Sequence, residues 1–108
     1  MSAHTAAYLP ETLTRAELDA KPGVWLLEFG IDGCPHCVAA QPLIRQALTG
    51  QQALTHIKIE DGRGRPLGRS FGVKLWPTLI LMKDGQEIAR VIRPQSSEAL
   101  TEAFALLD

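Results

Sequence analysis

Apolar residues along the chain change period several times, and each period predicts an element. VWLLEFG, Val24–Gly30, is a near-continuous apolar run between turn residues, the pattern of a strand buried on both faces. ALTHIKIE, Ala53–Glu60, alternates instead: Thr55, Ile57 and Ile59 share one face of a second strand, and Leu54, His56 and Lys58 the other. PTLILMK predicts a third strand. KDGQ carries the Asp-Gly hairpin signal, and EIARVI is a fourth strand antiparallel to the third.

Helical spacing fills the gaps. TRAELDA, Thr14–Ala20, places helix formers behind a Thr cap, and KPG ends it. VAAQPLIRQALTG holds Val38, Leu43, Ile44 and Leu48 near helical spacing, with Pro42 expected to kink the helix and Gly50 to end it. SSEALTEAFALLD is amphipathic, capped by Ser96 or Ser97, with Leu100, Ala103, Phe104 and Leu107 as its buried stripe. DGRGRPLGRSFGV reads as a loop or weak helix, and residues 1–11, without periodicity, are expected to be flexible. A β-α-β unit implies parallel strands with a right-handed crossover, and the hairpin adds antiparallel strands. The expected fold is α/β, a central mixed sheet with helices on both faces, in a single domain over residues 1–108.

Composition narrows the function. A chain of 108 residues, 45% hydrophobic, can bury a core of its own. A net charge of −1 offers no electrostatic case for nucleic acid or an anionic membrane. Arg63, Arg65 and Arg69 fall in the glycine-rich segment, which is not a phosphate-binding fingerprint and reads as a solvated loop. The N-terminal residues lack a basic, then apolar, leader pattern, and no apolar run reaches the roughly 18 residues of a membrane span. The expectation is a cytoplasmic protein.

Both cysteines fall in GCPHCV, separated by Pro35 and His36. In a reducing compartment such a pair is more often catalytic or metal-binding than a structural staple. Pro35 suits the first position of a helix, which places Cys34 at the helix N-terminus. There the partial positive charge and free N–H groups favour a thiolate, the nucleophile of disulfide exchange. Cys37 follows one turn later on the same side, positioned to close a disulfide or displace a mixed one. Two cysteines also make half of a zinc site, which would need His56, a carboxylate or a second subunit. A c-type haem would need His directly after Cys37, where Val38 stands.

Taken in order, these features resemble the thioredoxin family from about Val24 to the C-terminus. A buried strand feeds Cys-x-x-Cys, Pro42 lies five residues after the second cysteine, and WPT (Trp76–Thr78), an apolar strand, a KDG hairpin and a final amphipathic helix follow. The resemblance implies a thioredoxin-like fold and thiol–disulfide oxidoreductase activity. In it, Cys34 attacks and Cys37 resolves. It implies a cis Pro77 beside the cysteine pair, with Pro35, Trp76 and Pro77 lining the groove for an extended substrate segment. Glu28 takes the place of the family's buried acid, moving a proton to or from Cys37, and Lys58 stands near it. Burial is expected to raise the pKa of Glu28. His36 is expected to lower the Cys34 pKa and stabilise the reduced form, making the couple more oxidising, where about 30 mV corresponds to about 1.4 kcal/mol. No bound cofactor is implied. Partners would be protein disulfides or dithiols and a thioredoxin reductase, and the expected state is a monomer. In the cytosol the net direction would be reduction.

The chain departs from the family pattern in its groove. Gly33 replaces the usual Trp before the first cysteine, Leu75 and Trp76 precede the proline, and Arg93-Pro94 follows the last strand. These changes put the usual partners in doubt. Two other readings stay open: a thioredoxin-like binding, chaperone or assembly module with a vestigial redox pair, and a metal-binding domain using Cys34 and Cys37.

Overall fold

The computed structural model describes residues 7–51 and 53–107. In chain order its elements are α1 (Arg15–Asp19), β1 (Val24–Gly30), α2 (Pro35–Leu48), β2 (Leu54–Glu60), α3 (Pro66–Ser70), β3 (Thr78–Lys83), β4 (Gln86–Ile92) and α4 (Ser97–Ala105). The strands form one mixed sheet in the order β2-β1-β3-β4. β1 and β2 run parallel, as the β-α-β unit implies, β3 and β4 form the expected antiparallel hairpin, and β3 also pairs antiparallel with β1. The segment read as a loop or weak helix contains α3, a five-residue helix with Pro66 in its first turn.

β1 is central because both its faces are covered. Leu26 points toward α2 and α4, where it joins Ala40, Ile44, Ala47, Leu79, Leu81, Leu100, Ala103 and Phe104. Leu27 and Phe29 point the other way, into a second core with Leu18, Ile59, Leu67, Phe71, Ile80 and Met82. Strand alternation therefore leaves Glu28, like Leu26, on the α2 face. The Cα register sets Glu28 opposite Lys58 on β2 and Leu79 on β3.

The helix ends follow local chemistry. Thr14 caps α1 in a capping box with Glu17: each side chain binds the other residue's main-chain N–H. α2 runs through Pro42 and buries Cys37, Ala40, Ile44 and Ala47; Val38, read as part of the apolar stripe, is instead 61% exposed. Ala40 and Ala47 join Ile44 in the core with Leu26, Leu79 and Leu100, so the buried stripe of α2 is made mostly of small residues.

The N-terminal segment corrects the expectation of flexibility where it is described. Tyr8 is buried, and Leu9 pairs with β2 through Leu9 N–H to Lys58 O (3.3 Å) and Glu60 N–H to Leu9 O (2.7 Å). One bridge and one aromatic anchor leave no periodic signature, so the pattern along the sequence could not reveal them. Residues 1–6 of that expected flexible segment lie outside the described residues.

Candidate active site

Cys34 is the N-cap residue of α2 and Pro35 opens the helix, so the main-chain N–H groups of the first turn face the Cys34 sulfur. The Cys37 N–H donates to it at 3.4 Å. Cys34 is partly exposed and Cys37 is buried, and both are free thiols. Burial works against a Cys34 thiolate, but hydrogen bonds from the Cys37 thiol, the Cys37 N–H and the His36 N–H, with the positive charge of Arg93, outweigh it. The Cys34 thiol is thereby held below its ordinary value. Burial pushes Cys37 the other way, up to about 11, and the neighbouring Cys34 sulfur adds to the rise. One cysteine is poised to ionise and meet solvent; the other stays protonated under it.

His36 acts on Cys34 through its main-chain N–H, while its side chain is exposed. Gly33 has φ +85°, a conformation that disfavours any side chain, and space is open where a Cβ would stand.

Just before β3, the Trp76–Pro77 peptide bond is cis. Pro77 is buried and Trp76 partly exposed. The Trp76 indole N–H donates to Asp61 Oδ2 at 2.8 Å, and Arg93 Nε donates to the Trp76 carbonyl at 2.8 Å. The Arg93 N–H binds the Pro77 carbonyl at 2.9 Å. Arg93 is therefore fastened to the proline loop while its charge acts on Cys34. Leu75, just ahead, is 48% exposed.

Beneath Cys37 lies a polar network on the α2 face of the sheet. Glu28 is fully buried. Its Oε1 lies 2.9 Å from His56 Nε2, and its Oε2 accepts from Gln41 Nε2 at 2.9 Å and from the Tyr8 hydroxyl. The expected raised pKa is corrected. Burial does raise it, but the hydrogen bonds from His56, Gln41 and Tyr8 and the His56 charge outweigh burial and hold the carboxyl below its ordinary value. Lys58, expected near Glu28, is its neighbour in register but does not bind it. Lys58 Nζ donates to Gln41 Oε1 at 3.0 Å and stands 4.6 Å from the centre of the Tyr8 ring. His56, two residues earlier on the same face, fills the place beside the carboxylate, and the longer Lys58 reaches past it toward the rim.

Tyr8, Gly30 and Gln41 were not among the site candidates from the sequence, and His56 was weighed there only as a zinc ligand. Gly30 matters for space: a Cβ there would sit 2.7 Å from both Cys37 Sγ and Tyr8 Cζ. His56 carried a signal, since it shares a strand face with Lys58. Tyr8 offered one as well, being the only tyrosine of the chain. Among the described residues, no group of three or more His, Cys, Asp or Glu is gathered that could hold a metal ion. No helix of the described chain is long and apolar enough to cross a membrane.

A helix-capping thiol, a buried second thiol one turn on and a buried acid below form a dithiol site for disulfide exchange. The thioredoxin family model matches residues 8–105. The chain is 31% identical over 84 residues to a thioredoxin of Chlamydia muridarum, covering 77% of this chain and 81% of that one. It is 31% identical over 99 residues to DnaJ homolog subfamily C member 10 of Xenopus laevis, of whose length the chain spans 12%. Among solved structures, thioredoxin 2 of Pseudomonas aeruginosa PAO1 in its reduced form superposes with a TM-score of 0.85 at 50% identity, covering 95% of this chain and 96% of that one. The chain belongs to the thioredoxin family, with that family's fold and its thiol–disulfide oxidoreductase activity.

Proposed function

We propose that the protein exchanges disulfides with protein substrates through Cys34 and Cys37, acting in the cytoplasm as a reductant. The observation that carries this reading is the asymmetry of the two thiols: Cys34 is partly exposed, with the Cys37 N–H on its sulfur at 3.4 Å, and Cys37 is buried beside it. The Cys34 thiolate attacks a substrate disulfide, joins one sulfur and releases the other as a thiolate. Cys37, losing its proton, then attacks Cys34. The second substrate sulfur leaves as a thiolate that picks up a proton, and the Cys34–Cys37 disulfide remains. Two electrons have passed to the substrate. A reductase of the thioredoxin reductase type returns the dithiol, so no bound cofactor is needed.

Glu28 serves as the internal base for Cys37 and Lys58 tunes it through Gln41. Pro35, Trp76 and Pro77 line the contact for an extended substrate segment. Arg93 occupies the Trp76 carbonyl, which removes one main-chain acceptor from that contact and sets a positive charge at its edge. His36 contributes its N–H to Cys34, and a charge on its exposed ring favours the thiolate through solvent.

The test is equilibration with glutathione redox buffers, alongside reduction of a protein disulfide such as insulin. A two-electron couple that needs both cysteines is expected, with Cys34→Ser inactive. Full biological activity in Cys34→Ser would replace this reading with that of a binding or assembly module.

A further inference from the structure

Glu28 and Cys37 are the two ends of a proton transfer, and one side chain stands at both. The Tyr8 hydroxyl donates to Glu28 Oε2. The same end of the ring neighbours Cys37: Tyr8 Cζ and Cys37 Sγ are each 2.7 Å from the place a Gly30 Cβ would occupy, on the two sides of one small space. Gly30 thus leaves the space that phenol and sulfur border together. Tyr8 is held there from several sides. Its N–H binds Asp32 Oδ1 at 3.1 Å, Gln41 Nε2 lies 3.4 Å from its hydroxyl, and Leu9 ties the adjacent residue to β2. We infer that Tyr8 is the proton relay of the resolving step, taking the Cys37 thiol proton on its oxygen as it passes its own phenol proton to Glu28.

The step balances without any added reactant. The Cys37 S–H bond and the Tyr8 O–H bond break, and a new Tyr8 O–H and a Glu28 O–H form. Tyr8 ends neutral as it began, Glu28 becomes a carboxylic acid and Cys37 a thiolate. The thiolate attacks Cys34, and the departing substrate thiolate later receives the proton by way of solvent. Burial and the Glu28 carboxylate make a lasting tyrosinate unfavourable, so the phenol passes a proton along without holding a charge. Burial holds the proton on Cys37 until it is handed on. The charged and titratable groups facing the relay are Glu28 on β1, Cys37 on α2, Lys58 and His56 on β2, and Asp32 in the loop after β1. Lys58 and the amide of Gln41 are neighbours that orient the phenol, and a cavity of about 300 Å³ lined by Tyr8, Asp32, Cys37, Gln41 and Lys58 opens beside it.

This inference rests on the proposed exchange through Cys34 and Cys37, and a two-phase experiment separates the two. Reduced protein is mixed with Ellman's reagent in a stopped-flow instrument. Attack by Cys34 releases one thionitrobenzoate, and resolution by Cys37 releases the second, whose low pKa needs no proton. Release of fewer than two thionitrobenzoates per wild-type chain defeats the exchange reading itself, and reagent concentration is raised until attack outruns resolution and both phases separate. If the wild type shows both, Tyr8→Phe is expected to keep the first within twofold and slow the second about tenfold or more at pH 7, with its pH profile moved upward. Glu28→Gln should slow the second phase similarly, and the double variant should be no slower than the slower single one. A Tyr8→Phe second phase at the wild-type rate means that water replaces the hydroxyl and overturns the relay, as do fully additive losses. Because Tyr8 is the only tyrosine, 3-fluorotyrosine incorporation changes the phenol acidity there alone and preserves the ring should Tyr8→Phe not fold. A changed second phase with an unchanged first is expected, and an unaltered second phase again overturns the relay.

Discussion

His56 Nε2 and Glu28 Oε1 lie 2.9 Å apart inside the α2 face of the sheet, with 4% of the His56 side chain exposed and none of Glu28. The pair matters because a carboxylate cannot stay ionised in such a place unless neighbours replace its water. His56, Gln41 and Tyr8 do so from β2, α2 and the N-terminal segment, three parts of the chain that only the fold brings together.

Removing the imidazole should therefore be costly. His56→Ala is expected to destabilise the protein by about 3 kcal/mol in urea unfolding, because it leaves a buried carboxylate short of a partner. The acid limb carries a second signature. Glu28 is held below its ordinary 4.5, so its contribution is present above the unfolded carboxylate value and is lost as pH falls through the lower folded value. In His56→Ala burial regains the upper hand, the folded value rises, and the loss of stability between pH 5 and 3 should shrink by comparison, taking about pH 4.3 as the unfolded midpoint. An unchanged acid profile would contradict the pairing.

The thiols should ionise in two separated steps. Thiolate absorbance is expected to rise first below the ordinary value of 9, with Cys34 the residue alkylated there, and again near 11 with Cys37. Cys34→Ser should lower the second step, since the Cys34 sulfur is one of the groups that raises it. A Cys37 step that stays in place in that variant would mean burial alone sets it. The same shift makes the reduced protein lose stability as pH rises above the unfolded thiol value of 9, because folded Cys37 holds its proton longer than unfolded Cys37 does.

Arg93 sets a positive charge at the groove that favours the Cys34 thiolate. Arg93→Gly should raise the Cys34 pKa and slow its alkylation at pH 7 by up to about threefold, the worth of one partly solvated charge. The difference should vanish in 1 M salt, where charges are screened within about 3 Å. Gly is also the natural occupant of the left-handed conformation found there, φ +49°, so relief of backbone strain should offset the lost Nε bond to the Trp76 carbonyl. His36→Gly keeps the main-chain N–H that reaches Cys34, so it should move the thiol less than Arg93→Gly does; a larger effect would give the ring the leading role.

Gly30→Ala tests the close approach beside Cys37. A methyl group 2.7 Å from Cys37 Sγ and from Tyr8 Cζ must push one of them away, at a cost of about 1–3 kcal/mol read from the urea midpoint. Gly33→Ala, where space is open but φ is +85°, should cost about 1–2 kcal/mol of backbone strain and leave the thiol titration alone. Equal effects of the two on Cys37 would deny Gly30 its spacing role.

Periodicity was enough to place the main elements. Val24–Gly30 is β1 residue for residue, and the alternation in Leu54–Glu60 sorted His56 and Lys58 onto one face correctly. Both patterns are local consequences of which side of a strand meets the core. The same logic failed for Val38, because the buried positions of α2 include Ala40 and Ala47, and alanine carries little hydrophobic signal.

The sequence by itself determined the order of elements, the setting of Cys34 at the mouth of α2 and the presence of an acid on the central strand, since each depends on neighbours a few residues away. Tertiary structure alone decided what that acid touches. Glu28 meets Tyr8 across 20 positions and His56 across 28, while Lys58, opposite it in register, goes to Gln41. Register fixes backbones, but side-chain length, burial and competing partners settle which groups share a proton. Those forces act only once the sheet and α2 have closed over the site.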